Sequence, residues 1–285
     1  MYTLEEKQKI KSAFDTKCQR QQFTRNKAAT SMNLSAATLS QVFSGSYPAD
    51  DTNIWKQIIL WCDYHETRTL KLVDTRNHKL LEKFVNDARL HATTYAIMGD
   101  AGSGKTFSLK NLAASLPHVY LVQCHEYWNM KDYMGEILRS MGRDNNGMSI
   151  TEMINGITEI LRMENDTVLI IDEADKLKDP LFIFFITLYN RLEDHTGLIL
   201  TATNHIEKRI MKGLRLNRRG YQEIYSRFGR RFVELNIPNK YDIVMICDAN
   251  GVTDPAAQEE IVKNSMGDLR RVKKLIHQHN LRNAS

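Results

Sequence analysis

Residues 99–106 read GDAGSGKT, a complete G-x-x-x-x-G-K-[ST] string. Glycines let backbone N–H groups close around phosphate oxygens, and the helix that follows presents its positive end to the same anion. In this pattern the lysine reaches the β- and γ-phosphates and the threonine hydroxyl holds Mg²⁺. The string therefore predicts a nucleoside triphosphate site formed by Gly99, Asp100, Ala101, Gly102, Ser103, Gly104, Lys105 and Thr106.

A second motif, TVLIIDE, occupies residues 167–173. Its apolar run is typical of a buried strand, and the carboxyl end of such a strand is where open α/β sheets place ligands. We expect Asp172 to bind Mg²⁺ and Glu173 to orient and deprotonate the attacking water. ATP and Mg²⁺ are therefore the expected cofactors, with ATP hydrolysis the expected reaction. We expect the base to be adenine rather than guanine, because we expect no N-K-x-D motif, which binds guanine, after a strand.

Three further polar residues follow predicted elements. Asn204 comes after the apolar strand GLILTAT and is expected beside the phosphate loop, facing the attacking water or the γ-phosphate. Arg227, in YSRFGRR, is hard to satisfy within one chain and is a candidate arginine finger for a neighbouring subunit, with Arg230 and Arg231 as rivals. Arg270, in GDLRR, is expected to reach the γ-phosphate from a C-terminal helical segment, although a surface role fits its periodicity equally well.

Composition is ordinary for a globular protein: 42% of the 285 residues are hydrophobic and 26% are charged. No apolar stretch reaches the roughly 20 residues that span a bilayer, and the N-terminus lacks a signal peptide's apolar region. Four scattered cysteines argue for reduced thiols and against zinc or disulfides. We therefore expect a cytoplasmic protein with no membrane partner.

Basic residues are unevenly distributed. Residues 205–231 carry nine Lys or Arg against two acids, and residues 261–285 carry six against one. Such clustering suits an anionic partner, most often nucleic acid, although a solvated basic face remains the alternative.

Short apolar runs alternate with helical segments after residue 90, which predicts an α/β fold with a parallel sheet covered by helices on both faces. We divide the chain into an N-terminal all-α module (1–70), a nucleotide-binding core (71–238) and a small helical lid (239–285). The polar stretch 65–79 is read as a linker.

The N-terminal stretch 27–45 has the pattern of a helix-turn-helix. Asn33 falls where the turn needs a left-handed residue, and Ser35 would cap the second helix. Thr38 and Gln41 would face outward as candidate DNA contacts, since such a helix can enter a major groove. Its outward face lacks Arg and Lys, and a purely structural helix pair remains possible.

The order of these motifs resembles that of AAA+ ATPases, in which they are Walker A, Walker B, sensor 1, arginine finger and sensor 2. With the N-terminal module and basic tail, the chain is most similar to the transposition target-DNA activators MuB, TnsC and IstB, and to MuB above all. The resemblance implies an ATP-dependent homo-oligomer, a helical filament or ring, on duplex DNA. It also implies a DDE transposase as partner, disassembly by hydrolysis, and an origin in a bacterial cell, a phage or a transposon.

For such a filament, DNA contacts would go mainly to phosphates and be nonspecific. Family position suggests Lys131 and Arg143. The richer basic cluster, which could instead face a subunit or a transposase, includes Lys208, Lys212, Arg215, Arg218 and Arg219. Two other functions stay open: an ATP-switched helix-turn-helix transcription regulator, and a replication initiator or helicase loader.

Overall fold

The computed structural model describes residues 2–20, 23–62 and 70–283. The chain divides into two compact units, Met1–Thr69 and Leu70–Ser285. Residues 65–69 of the expected linker lie outside the described residues. The boundary between nucleotide core and lid, at residues 238 and 239, stays a prediction.

The described part of the first unit is helical and packs around aromatic side chains. Phe14, Trp55 and Ile58 are buried at its centre. Asn33 is left-handed, with φ 56°, and the Ser35 hydroxyl accepts a hydrogen bond from the Thr38 N–H, a cap that contributes about 1 kcal/mol. The helices are α1 Leu4–Arg20, α2 Arg25–Ser31, α3 Ala36–Ser44 and α4 Thr52–Cys62.

The second unit alternates helices and strands as predicted. Its first half comprises α5 Arg76–His91, β1 Thr94–Met98, α6 Lys105–Ser115, β2 Val119–Gln123, α7 Met130–Ser140, α8 Ile150–Met163 and β3 Thr167–Asp172. Its second half comprises α9 Asp179–Leu192, β4 Thr196–Ala202, α10 His205–Arg215, α11 Tyr221–Arg227, β5 Val233–Glu234, α12 Lys240–Ala249, α13 Pro255–Ser265 and α14 Leu269–Asn283.

The five strands form one parallel sheet in the order β2-β3-β4-β1-β5. Successive residues of β3 serve opposite faces: Leu169 and Ile171 pack with α7 to α11, whereas Val168 and Ile170 pack with α5 and α6. The predicted α/β fold with helices on both faces is therefore confirmed. Because all strands run the same way, their carboxyl ends share one edge.

The prediction that residues 65–79 form a linker is wrong from residue 70 onward. Thr75 caps α5 by accepting a hydrogen bond from the His78 N–H, and Arg76 pairs with the buried Asp242 of α12 at 3.1 Å. Leu70 and Val73 pack against the apolar cluster of α12 to α14. Thr75 and Arg76 are therefore a cap residue and an ion-pair residue, and the segment from Leu70 onward belongs to the second unit. Over the described residues, no helix combines the length and apolarity needed to cross a membrane.

Candidate nucleotide-binding site

The phosphate loop lies between β1 and α6, and its shape depends on two glycines. Gly102 and Gly104 have φ of 83° and 91°, a region that side chains disfavour. A Cβ on Gly102 would lie 2.2 Å from the Asp268 carboxylate, and one on Gly104 would lie 3.0 Å from Leu269. Gly104 is also the residue before α6, so the loop ends at that helix's N-terminus.

Lys105 is buried at the base of this loop. Its ammonium donates to the carbonyl oxygens of Gly99 (2.6 Å) and Asp100 (3.0 Å) and to the Ser103 hydroxyl (3.2 Å). Burial lowers the pKa of Lys105, against the opposing effect of Asp172 and other nearby carboxylates. The ammonium is thus held within the loop, next to the N–H groups suited to phosphate oxygens.

The two expected Mg²⁺ ligands are adjacent. The Thr106 hydroxyl donates to Oδ2 of Asp172 at 2.7 Å, and the Thr201 hydroxyl donates to Oδ1 at 2.5 Å. Asp172 is fully buried, so these bonds fix its carboxylate at the sheet edge. Thr201, on the adjacent strand β4, is a positioning residue that the sequence analysis missed.

Glu173 follows Asp172, the last residue of β3, in a left-handed conformation with φ 56°. Its Oε2 accepts hydrogen bonds from Gln123 Nε2 (3.2 Å) and Lys176 Nζ (2.5 Å). Burial alone would raise the pKa of Glu173, but the bonds from Lys176 and Gln123 outweigh it and hold that pKa below its usual value. Gln123 ends β2, so the strand-end reasoning that found Asn204 could also have found it.

Asn204 lies beside the phosphate loop. Its Nδ2 donates to the Asp100 carboxylate at 3.1 Å, while its buried Oδ1 has no hydrogen-bond partner. A buried amide oxygen without a partner is costly, and it could accept from a donor such as a water molecule. The sequence predicted this placement beside the phosphate loop, and the role of Asn204 toward the attacking water stays a prediction.

The start of α14 touches the phosphate loop directly. The Leu269 N–H donates to the Gly102 carbonyl at 2.9 Å, and the Asp268 carboxylate lies over Gly102 and accepts from the Arg270 N–H. Arg270 is exposed and close enough that its charge adds to burial in lowering the Lys105 pKa. It therefore lies near the phosphate end of the site.

The expectation that Arg227 is hard to satisfy within one chain is wrong. Its guanidinium donates to Asn190 of α9 at 2.9 Å and lies over the Tyr189 ring, 4.6 Å from the centroid, although Nε has no partner. Nearby α9 side chains provide these contacts, which the sequence order could not reveal. The rivals Arg230 and Arg231 are exposed.

The string N-K-x-D does occur, at residues 239–242, contrary to the expectation above. Here it forms a helix cap. The Asn239 side chain accepts from the Asp242 N–H at 2.9 Å, and Asp242 accepts from the Asn239 N–H at 3.1 Å and from Arg76. Asp242 is 2% exposed, so its carboxylate is committed to these partners and is not available to a guanine base.

The candidate DNA contacts are mostly exposed. Lys131 lies in the first turn of α7 and Arg143 in the loop between α7 and α8; Lys208, Lys212 and Arg215 lie along α10. Arg209, counted in the basic cluster, is instead structural, because it pairs with Asp179 at 2.6 Å and lies over Phe182.

Two other candidate DNA contacts, Arg218 and Thr38, also have partners within the chain. Arg218 pairs with Asp179 at 3.6 Å, so the basic surface is smaller than the sequence suggested. In the first unit, Gln41 is exposed, whereas Thr38 is half-buried with its hydroxyl 2.8 Å from that of Ser35.

The residues present fit ATP and Mg²⁺. The loop offers N–H groups and Lys105 to phosphates, and Thr106 and Asp172 offer the oxygen ligands that Mg²⁺ prefers. Among the described residues, no group of three or more His, Cys, Asp or Glu side chains could hold a metal. The protein would supply Mg²⁺ with the oxygens of Thr106 and Asp172, and phosphates and water would complete its ligands, as is usual for this ion.

The fold and this loop define a P-loop nucleotide-binding protein with an AAA+ core. Residues 88–210 match the family described as AAA domain. No curated protein matches the chain.

Solved structures of low sequence identity are similar to this chain. Cdc6p from Pyrobaculum aerophilum is 18% identical, with a TM-score of 0.51 over 80% of this chain and 63% of that one. The Thermotoga maritima RuvB Holliday junction branch migration motor is 19% identical, with a TM-score of 0.45 over 74% and 64%. A Drosophila ORC structure bound to DNA is 11% identical, with a TM-score of 0.43 over 84% and 66%. The chain thus spans less than two thirds of the Cdc6p chain.

Proposed function

We propose that this chain is an ATPase that binds duplex DNA as an oligomer and delivers it to a DDE transposase, with hydrolysis driving disassembly. The observation that carries the ATPase proposal is the cluster at the sheet edge. Thr106 bonds to Asp172, Glu173 is the next residue, and Asn204 lies against the phosphate loop at Asp100. Lys105 and the loop N–H groups would bind the phosphates, and Thr106 and Asp172 would hold Mg²⁺. Glu173 would accept the proton of the water that attacks the γ-phosphate, and ADP would leave.

The oligomer proposal rests on the place of Arg227 in the motif order shared with AAA+ ATPases, where it takes the position of the arginine finger. Its contacts are to Asn190, Tyr189 and Glu223, on α9 and α11, and to no phosphate-loop residue among the described contacts. Because of this motif order we assign Arg227 to the nucleotide of an adjacent subunit, where its charge would stabilise the transferring phosphoryl group. The site is then complete only after assembly.

The DNA and transposase parts of the proposal rest on the basic surface and on the motif order shared with MuB, TnsC and IstB. Exposed Lys208, Lys212 and Arg215 provide positive charge along one helix, which suits sequence-independent phosphate contacts. The first unit would supply an additional DNA or partner contact through α3.

The test is ATP turnover with and without random-sequence duplex, together with electron microscopy. We expect Glu173→Gln to lower turnover by about 10²-fold or more and to leave ATP-bound oligomers on DNA. Glu260→Gln, an exposed carboxylate in α13, is the matched control and should behave as wild type. Normal turnover in Glu173→Gln would remove Glu173 as the base.

The partner is tested separately. Strand transfer by a phage Mu-type DDE transposase should be stimulated by wild type with ATP. A footprint limited to one short palindrome would support the transcription regulator instead, and recruitment of a replicative helicase would support the helicase loader.

A further inference from the structure

A cleft of about 580 Å³ opens where β2 ends, separate from the phosphate loop. Leu121 and Gln123 of the strand form one wall, the segment His125–Trp128 another, and the start of α7 a third. Two of its residues have roles above: Gln123 holds Glu173, and Lys131 is a proposed contact to duplex phosphates. The cleft is therefore a built concavity with side chains whose chemistry is unassigned.

The cleft contains a stack of aromatic rings. His125 and Tyr127 are nearly parallel, at 17° with centroids 5.4 Å apart, and Trp128 meets His125 edge-on at 5.1 Å. Trp128 is 7% exposed and anchors the stack, whereas Tyr127 is 76% exposed. Since His125 covers one face of the Tyr127 ring, the other face is open to a planar ligand.

The charge around these rings favours an anion. Lys110 and Lys131 line the cleft, are exposed, and form no ion pair among the described residues. The cleft's two carboxylates are already engaged: Asp132 accepts from the Asn129 N–H at 3.0 Å, and Glu136 pairs with Arg139. Two available ammonium groups beside an open aromatic face match a base with its flanking phosphates.

We propose that this cleft binds an unpaired nucleobase, from a single strand or a locally opened duplex, by stacking on Tyr127 while Lys110 and Lys131 contact the flanking phosphates. The inference rests on the proposed DNA-binding function and adds a base-stacking contact to it. A closed duplex keeps its bases stacked on one another, so it would use the phosphate contacts alone.

The experiment measures the anisotropy of dye-labelled oligonucleotides with the full chain. The probes are an oligothymidine, an abasic strand with the same number of phosphates, and a closed duplex. Wild type should bind the oligothymidine about tenfold or more tighter than the abasic strand, the size of one base stacked on an aromatic ring. Tyr127→Ala should lose this preference and bind the duplex as wild type does. Tyr127→Phe, which keeps the ring, should retain the preference, and Lys83→Ala, an exposed cation on α5, should leave all three affinities unchanged.

Two results would overturn the inference. The first is equal affinity of the wild type for the oligothymidine and the abasic strand. The second is a preference for the oligothymidine that survives in Tyr127→Ala. Binding to the closed duplex distinguishes failure of the stacking site from failure of the proposed DNA-binding function. If wild type binds duplex without any preference for bases, only the stacking site fails. If it binds none of the three probes, the proposed DNA-binding function fails with it.

Discussion

The Gln123 amide, at the end of β2, donates to the carboxylate of Glu173 at the end of β3, with Nε2 and Oε2 3.2 Å apart. Strand pairing sets this contact, because Gln123 is in register with Asp172. Lys176 donates to the same oxygen at 2.5 Å. The proposed general base is therefore held by two donors, both of which favour its ionised form.

The first prediction concerns the pH dependence of Lys176→Met. Removing the ammonium takes away a hydrogen bond that lowers the pKa of Glu173, so this pKa should rise. A base acts in its ionised form, so activity falls as the pH drops through its pKa. The acidic limb of kcat/KM against pH should therefore move to higher pH in the variant. Lys178→Met, two residues on and exposed, should leave the limb in place; a limb unmoved in both variants would mean that another group sets it.

The second prediction uses two glycines with nearly the same backbone angle. Gly102 has φ 83° and would place a Cβ 2.2 Å from Asp268, whereas Gly251 has φ 84° and nothing within 4 Å. Substitution by alanine should cost each variant about 1–2 kcal/mol of folding free energy through the left-handed conformation. Only Gly102→Ala should also push α14 away from the loop and weaken nucleotide binding, by about tenfold or more (~1.4 kcal/mol).

Calorimetric titration with a nonhydrolysable ATP analogue, beside thermal melting, separates the two effects. If both variants bind the nucleotide like wild type, the contact between lid and loop has no role in binding.

The parts of the site that the sequence predicted are those encoded locally. The phosphate loop, the acidic end of β3 and Asn204 after β4 each follow from a string of neighbouring residues, since a strand, its end and the next helix are adjacent in the chain. The parallel sheet then brings these ends to one edge. For this reason the positions of Asp172 and Asn204 were predictable before any distance was known.

The missing parts depend on contacts between distant segments. Nothing near Arg227 in the sequence identifies Asn190 as its partner, and nothing near Arg209 identifies Asp179. The Leu269–Gly102 hydrogen bond joins residues far apart in the chain. The polar stretch after residue 70 has the composition of a linker, but Arg76 within it pairs with the distant Asp242. Charge counting along a sequence cannot separate such paired residues from available ones.

The third prediction tests the arginine finger. Arg227→Ala alone should lower turnover by about 10³-fold or more, as expected for loss of a finger. Mixing it with Glu173→Gln subunits should restore part of the activity, because some interfaces then combine an intact Glu173 with an intact Arg227. Asn190→Ala is the control: it removes the resting partner but keeps the guanidinium, and it should retain turnover. If turnover does not recover at any ratio, in mixtures shown to co-assemble, Arg227 does not act in the neighbour's site. The same mixing with Arg230→Ala and Arg231→Ala tests the two alternative arginines.

The fourth prediction separates DNA-contacting from structural arginines. Arg143 is exposed in its loop, so Arg143→Ala should weaken binding to all duplex sequences and reduce the slope of log K against log salt by about 0.9, one phosphate contact. Arg209→Met should instead lower the melting temperature, because it breaks the pair with Asp179 and the contact with Phe182. Its salt slope should equal that of wild type, measured below its melting temperature. The two variants can be compared because each removes one positive charge. If the salt slope falls equally in both, total charge sets the affinity for DNA, rather than a contact at Arg143.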